Sequence, residues 1–146
     1  PLDCGSPALV ARQYWLLKSE PGAYSYDDLV RIGVDHWDGV RNYQARNNLS
    51  AMKIGDRVLF YHSVTGKEVV GIAEVVREAY QDPTTDDERW VAVDMVPVEK
   101  LAGPVSLADI KAEPALAEVA LVKQSRLSVV PLLASEYRKI LSLAKP

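Results

Sequence analysis

Apolar positions along the chain fall into short blocks separated by polar turns, and each block carries its own period. "YWLLKSEP" begins as an apolar strand at Tyr14 and must stop by Pro21, which has no N–H for a ladder. In "SYDDLVRIGV", Ser25 stands three residues before Asp28 as in a capping box. Leu29 and Ile32 follow at helical spacing, and Gly33 marks the end. Ala45, Leu49 and Met52 form an i, i+4, i+7 stripe, predicting a helix that starts near Gly39 and runs to Met52. After the "IGD" turn, "RVLFYHS" reads as a strand. "TGK" is a turn, and "EVVGIAEVVREAY" is a long β-branched strand bent at Gly71.

"DPTTDDE" reads as an exposed acidic loop, and "RWVAVDMVPVEKL" alternates as another strand. "SLADIKAE" repeats the Ser-x-x-Asp start of a short helix, "SRLSVVPL" is a strand ended by proline, and "SEYRKILSLA" is a closing amphipathic helix. The pattern predicts one mixed α/β domain of about five or six strands and about four short helices. Because several strands are apolar on both faces, the sheet should be curved or closed. Residues 13–144 form the expected domain. Residues 1–12, which contain the single cysteine, Cys4, are expected to be a flexible tail or a remnant of expression.

"HWDGVRNYQARNNL" (36–49) fits neither an apolar core helix nor a charged surface helix. On a wheel of about 100° per residue with Ala45 at zero, Arg41 falls near −40° and Asn42 near +60°. Arg46 falls near +100° and Tyr43 near 160°. Arg41 and Asn42 therefore extend the core stripe, and buried polar groups of this kind need a polar pocket or internal partners. Glu20 is one candidate partner. An Arg41–Glu20 structural pair with Asn42 as a cap, and Trp37 as an ordinary core residue, stay open beside a binding role.

Composition is that of a globular chain, with 146 residues, 48% hydrophobic and 25% charged. A net charge of −3 argues against a protein that coats long duplexes through their phosphates. Charge is segregated, however. Between Trp37 and Ser63, four cations (Arg41, Arg46, Lys53, Arg57) face two carboxylates (Asp38, Asp56). One cysteine allows no internal disulfide, and no apolar run approaches the roughly 20 residues of a membrane-spanning helix. The expected location is a reducing cytoplasmic compartment.

"FYHS" holds the second polar set. Strand alternation puts Tyr61 and Ser63 on one face and Phe60 and His62 on the other, which favours Tyr61 with Ser63 and leaves His62 open. Motifs for enzymes are missing: no Cys–His pair, no Gly-rich phosphate loop and no Gly-x-Ser-x-Gly. The carboxylates of "DPTTDDE" are more simply a solvated loop than a cation site.

Five ordered segments, "YWLLKSEP", "WDGVRNYQARNNL", "MKIGDRVLFYHS", "GIAEVVREAYQDPT" and "RLSVVPL", together resemble an EVE domain of the PUA-like group. The resemblance implies a PUA-like β-barrel with flanking helices. It also implies a non-catalytic module that binds a modified base, for example a methylated one such as 5-methylcytosine. That base would be flipped from single-stranded or locally opened DNA or RNA, with no cofactor and no metal. The implied pocket is Ser19, Glu20, Trp37, Arg41, Asn42, Tyr61, His62 and Ser63, with Arg46, Lys53 and Arg126 as backbone contacts. The competing expectations are an enzyme acting on bases through Glu20 or His62, and a protein interaction module in which Arg41 and Glu20 are structural.

Overall fold

The computed structural model describes residues 13–63, 66–124 and 127–144; the expected tail and Arg126 lie outside the described residues. Six strands form one sheet: β1 (Tyr14–Ser19), β2 (Asp35–Trp37), β3 (Arg57–His62), β4 (Glu68–Gln81), β5 (Val91–Ser106) and β6 (Val129–Leu132). Their order is β2-β5-β4-β3-β1-β6. The β1–β3 pair is parallel and the others are antiparallel. Helices α1 (Tyr26–Ile32), α2 (Tyr43–Ala51), α3 (Leu107–Ala112), α4 (Ala120–Lys123) and α5 (Ala134–Ser142) flank it, with a 3-10 turn at Pro114–Leu116.

The sheet curls but is not closed, with β2 and β6 as its edges. The expected barrel is thus completed by a helix instead of by strand pairing. Helix α2 packs on β4, β5 and β6, so it spans from the edge strand β6 to strands near the opposite side of the sheet. Its stripe of Ala45, Leu49 and Met52 is fully buried, as the period predicts. The edges are of the kind edges should be: β2 has three residues, and β6 carries Pro131, which has no N–H to offer a neighbour.

Helix α1 starts as predicted. The Ser25 hydroxyl accepts from the Asp28 N–H at 3.2 Å, and the Asp28 carboxylate accepts from the Ser25 N–H at 2.9 Å. Gly33 ends it at φ +92°. Ile32 departs from expectation, being exposed while Leu29 is buried. The short strand β2 and helix α4 have no counterpart in the predicted pattern, because three or four residues are too few to display a period.

Gly71 does sit at a bend. Phe60 pairs with Gly71 while Tyr61 pairs with Val69, and Gly71 lies beside Lys100 while Val69 lies beside Val105. A Cβ on Gly71 would lie 2.5 Å from atoms of the Tyr26 ring, whose hydroxyl donates to the Ile72 carbonyl at 2.8 Å. The missing side chain lets α1 lie down on the sheet. Gly71→Ala should cost about 1–3 kcal/mol in urea unfolding, the range for overpacking, and the loss should shrink in a Tyr26→Ala background. Equal losses in both backgrounds would show that the Tyr26 contact is not the cause.

Candidate functional site

In the strand order, β2 and β3 are separated by β5 and β4, about 14 Å in a flat sheet. Yet the Trp37 ring at the end of β2 meets the Phe60 ring of β3 at 5.5 Å, with an interplanar angle of 89°. The two can touch only across the concave face of a curled sheet. Phe60 is fully buried and is also met by Tyr26 (5.4 Å), His62 (5.7 Å) and Tyr24 (6.4 Å). Tyr24, in the turn before α1, stands 6.2 Å from Trp37 at 84°. Tyr24 and Trp37 are half-buried. Over the buried Phe60 ring they make an aromatic corner, whose two partly exposed walls, Trp37 and Tyr24, let a planar ring lie along one and present its edge to the other.

The polar groups around this corner are held by specific bonds. The Ser19 hydroxyl donates to the Tyr24 carbonyl at 2.6 Å, and the Tyr24 hydroxyl donates to Asp35 Oδ2 at 2.7 Å. Burial, then the bond to Asp35, raises the Tyr24 pKa, keeping the phenol protonated. His62 Nε2 accepts the Tyr26 N–H, the first amide of α1, at 3.1 Å. Burial holds the His62 imidazole below its ordinary value, against opposing pulls from Glu68 and Asp27.

The segment after Trp37 is not helical. Asn42, at φ −112° and ψ 132°, is the N-cap of α2, and its side-chain oxygen accepts from the Ala45 N–H at 2.9 Å. The wheel therefore does not apply to Arg41, whose side chain is 41% exposed and runs to Asp82. Asp82 is fully buried inside the loop that reads as exposed. It accepts from the Gly39 N–H at 2.8 Å, the Arg41 guanidinium at 3.0 Å and the Thr84 N–H at 2.7 Å. Burial would push its carboxyl up, but bonds from Thr84, Gly39 and Arg41 outweigh that and hold it well below the carboxylate range.

Residues 13–143 match the model of the EVE domain. The chain belongs to the EVE family. A curated relative of this EVE domain, thymocyte nuclear protein 1 of Mus musculus, is 37% identical over 164 residues, covering 89% of this chain and 73% of that one. Among solved structures, Rpa0253 from Rhodopseudomonas palustris is 48% identical with a TM-score of 0.86, covering 90% and 92% of the two chains. Human THYN1, solved in complex with 5-methylcytosine-containing DNA, is 35% identical with a TM-score of 0.83, covering 92% and 99%. An ASCH protein from Zymomonas mobilis, 16% identical with a TM-score of 0.57, shares the fold alone. The architecture is PUA-like.

The structure of this EVE domain divides the residues proposed from sequence. Ser19, Trp37 and His62 gather around Phe60 and Tyr24, with Ser63 next to them, its N–H on the Ser19 carbonyl at 2.8 Å. Tyr61 does not join them. It is paired with Lys18 on the opposite face, where burial raises its phenol pKa, so His62, not Tyr61, accompanies the corner. Arg41 and Asn42 lie before the helix, so the wheel does not place them: Asn42 caps α2, and Arg41 pairs with Asp82 instead of Glu20, whose side chain is exposed. Lys53 lies beyond the C-terminal end of α2, about 15 Å of helix from Arg41, with its N–H on Asp56 at 2.9 Å.

Tyr24, Phe60 and Asp82 are the residues that sequence reasoning missed. Asp82 carried a usable signal, since "DPT" places a threonine two residues after an aspartate, the spacing of an Asx turn. On the other side of β2, a cleft of about 360 Å³ opens between His36, Tyr80 and Asp94, where Arg77 lies 3.7 Å over the Tyr80 ring.

Two consequences can be measured. Because Nε2 of His62 must be unprotonated to accept the Tyr26 N–H, the folded protein resists a proton that the unfolded chain takes up near pH 6.5. Stability from this bond should be complete above that pH and fall as pH drops from there through the lower folded value. Urea unfolding at pH 7.5 and 5.0 should show that slope weakened in His62→Gln; an unchanged slope removes His62 as its source. Asp82→Ala strands the Gly39 and Thr84 amides, while the partly exposed Arg41 is left to water, and should cost about 1–3 kcal/mol, the cost of buried donors left unpaired. A loss below about 1 kcal/mol would mean that water replaces the carboxylate.

Proposed function

We propose that this EVE domain binds a chemically modified base, turned out of single-stranded or locally opened DNA or RNA, and leaves it unaltered. The observation that carries the reading is the pair of half-buried rings, Trp37 on the edge strand and Tyr24 beside it, set at 84° to each other over the buried Phe60 ring. A base stacked on one such ring gains about 1–3 kcal/mol. Ser19 and His62 stand beside the corner with polar atoms that can meet the base edge. Human THYN1, related over 92% of this chain, was solved with DNA containing 5-methylcytosine, and this supports nucleic acid as the ligand class.

Binding without turnover suits the polar groups. His62 Nε2 is committed to the Tyr26 amide, and Ser19 donates to a backbone carbonyl, so neither is set up as a base–nucleophile pair. A methyl mark adds only about 0.8 kcal/mol per buried carbon, rising to about 1–3 kcal/mol where the wall fits closely.

The test is binding of short single-stranded DNA and RNA oligomers with different base modifications, each against its unmodified control, by fluorescence anisotropy. At least one modified oligomer should bind more tightly than its control. Trp37→Ala should weaken that binding by about 1–3 kcal/mol, while Trp37→Phe, which keeps a stacking face, should lose less. If no modified oligomer outbinds its control, the base-reading proposal fails; a change in oligomer mass on incubation would replace it with an enzyme.

A further inference from the structure

Six residues after Trp37, the chain reaches a second aromatic surface. The Tyr43 ring, at the start of α2, is 52% exposed and lies 5.2 Å from the Trp90 ring, tilted by 33°. Arg89 donates to the Tyr43 hydroxyl at 2.9 Å. Three guanidinium groups stand over the pair: Arg46 is 5.3 Å from the Tyr43 ring, and Arg41 and Arg89 are 5.7 and 5.8 Å from Trp90.

These cations are not equivalent. Arg41 is neutralised by Asp82 at 3.0 Å, and Arg89 by Asp87 at 2.6 Å. Arg46 bonds only neutral acceptors among the described residues, the Asn47 side-chain oxygen at 3.0 Å and the Arg89 carbonyl at 3.1 Å. Asp86 and Glu88, exposed on the adjoining loop, keep the surface from being broadly positive. What it offers a ligand is one open ring beside one uncompensated cation, which matches one base and one phosphate of a single strand and does not match a long duplex.

We propose that Tyr43 and Arg46 hold the strand next to the recognised base, Tyr43 stacking on a neighbouring base and Arg46 pairing with one phosphate. The proposal rests on the base-reading function above for its ligand. Six residues of chain span at most about 20 Å, so Tyr43 lies within about six stacked nucleotides of Trp37. The two surfaces are also mechanically linked. Asp82 binds Arg41, whose guanidinium stands over Trp90, and it binds the Gly39 amide two residues from Trp37.

The experiment compares a modified mononucleoside, which can reach only the corner, with a 12-nucleotide single strand carrying the modified base at its centre, titrated at several salt concentrations. Tyr43→Ala should weaken the 12-mer by about 5- to 100-fold, the effect of losing one base–aromatic stack, and leave mononucleoside binding unchanged. Tyr43→Phe should bind like the parent. Arg46→Ala should reduce the slope of log K against log salt by about 0.7, the signature of one phosphate on a single strand.

Unchanged 12-mer affinity in Tyr43→Ala together with an unchanged salt slope in Arg46→Ala overturns the platform. A mononucleoside loss that parallels the 12-mer loss also overturns it, because Tyr43 would then act through the corner. Absence of any preference for modification in the parent protein sinks base reading alone; the two variants then decide the platform on the unmodified 12-mer. Thermal unfolding of both variants fixes the folded fraction, which matters most for Tyr43→Ala because the Tyr43 ring packs on the buried Trp90.

Discussion

One buried ring sets the geometry of the concave face. Phe60 touches Trp37, Tyr26 and His62 near right angles and Tyr24 at a smaller tilt. Those four come from an edge strand, a helix, the same strand and a turn, so no local interaction would bring them together. Each edge-to-face contact adds about 0.5–1.5 kcal/mol beyond area burial. Because Trp37 reaches Phe60 across two intervening strands, the curl of the sheet and the aromatic corner are one constraint. Gly71 belongs to it as well: it lets Tyr26 lie against the sheet, and Tyr26 in turn presents its amide to His62.

The segment between Trp37 and α2 works under a different constraint. Its backbone turns at Gly39 (φ +76°) and lies outside any ladder, so its N–H groups need partners from elsewhere. Asp82 supplies the partner for Gly39 and, through Arg41, holds the chain just before the Asn42 cap. The crowd of Arg and Asn between residues 36 and 49 thus has several separate purposes. Asn42 caps α2, Asn48 donates to the Val129 carbonyl of the edge strand at 2.8 Å, Arg41 clamps the loop, and Arg46 faces the exposed tyrosine. No single pocket gathers them.

Strands and helices long enough to show a period were legible in the chain, and so was the Ser25–Asp28 capping box. The site was legible only in part, for a physical reason. A helical wheel holds only inside the helix, and Asn42 is the residue type that most often ends that validity, three positions before the Ala45 amide it caps. Taking Asn42 as the cap would have released Arg41 from the core face at once. Strand alternation separated Tyr61 from His62 correctly, but it does not say which face is concave. Phe60 and Tyr24 carried no local sign, since their importance comes from the curl. Asp82 was hidden by its neighbours, because a run of acidic residues gives no composition signal for the one member that turns inward.

The distribution of hydrogen bonds bears on what kind of selectivity the proposed reading permits. Ser19 donates its proton to a carbonyl, Tyr24 donates to Asp35, and His62 Nε2 accepts from a backbone amide. What remains for a base edge is the acceptor capacity of the Ser19 oxygen, the other ring nitrogen of His62 and the Ser63 hydroxyl. The exposed Glu20 carboxylate stands just beyond β1, and Asn42 is held as a cap. Rings supply most of the contact surface, and rings do not distinguish strongly among planar ligands. Discrimination by fixed hydrogen bonds reaches far larger factors than discrimination by a methylene, because a mismatch there leaves buried polar groups unpaired. A corner with so few uncommitted polar atoms is therefore suited to a shape difference such as an added methyl group, and affinity beyond that must come from the strand on either side of the base.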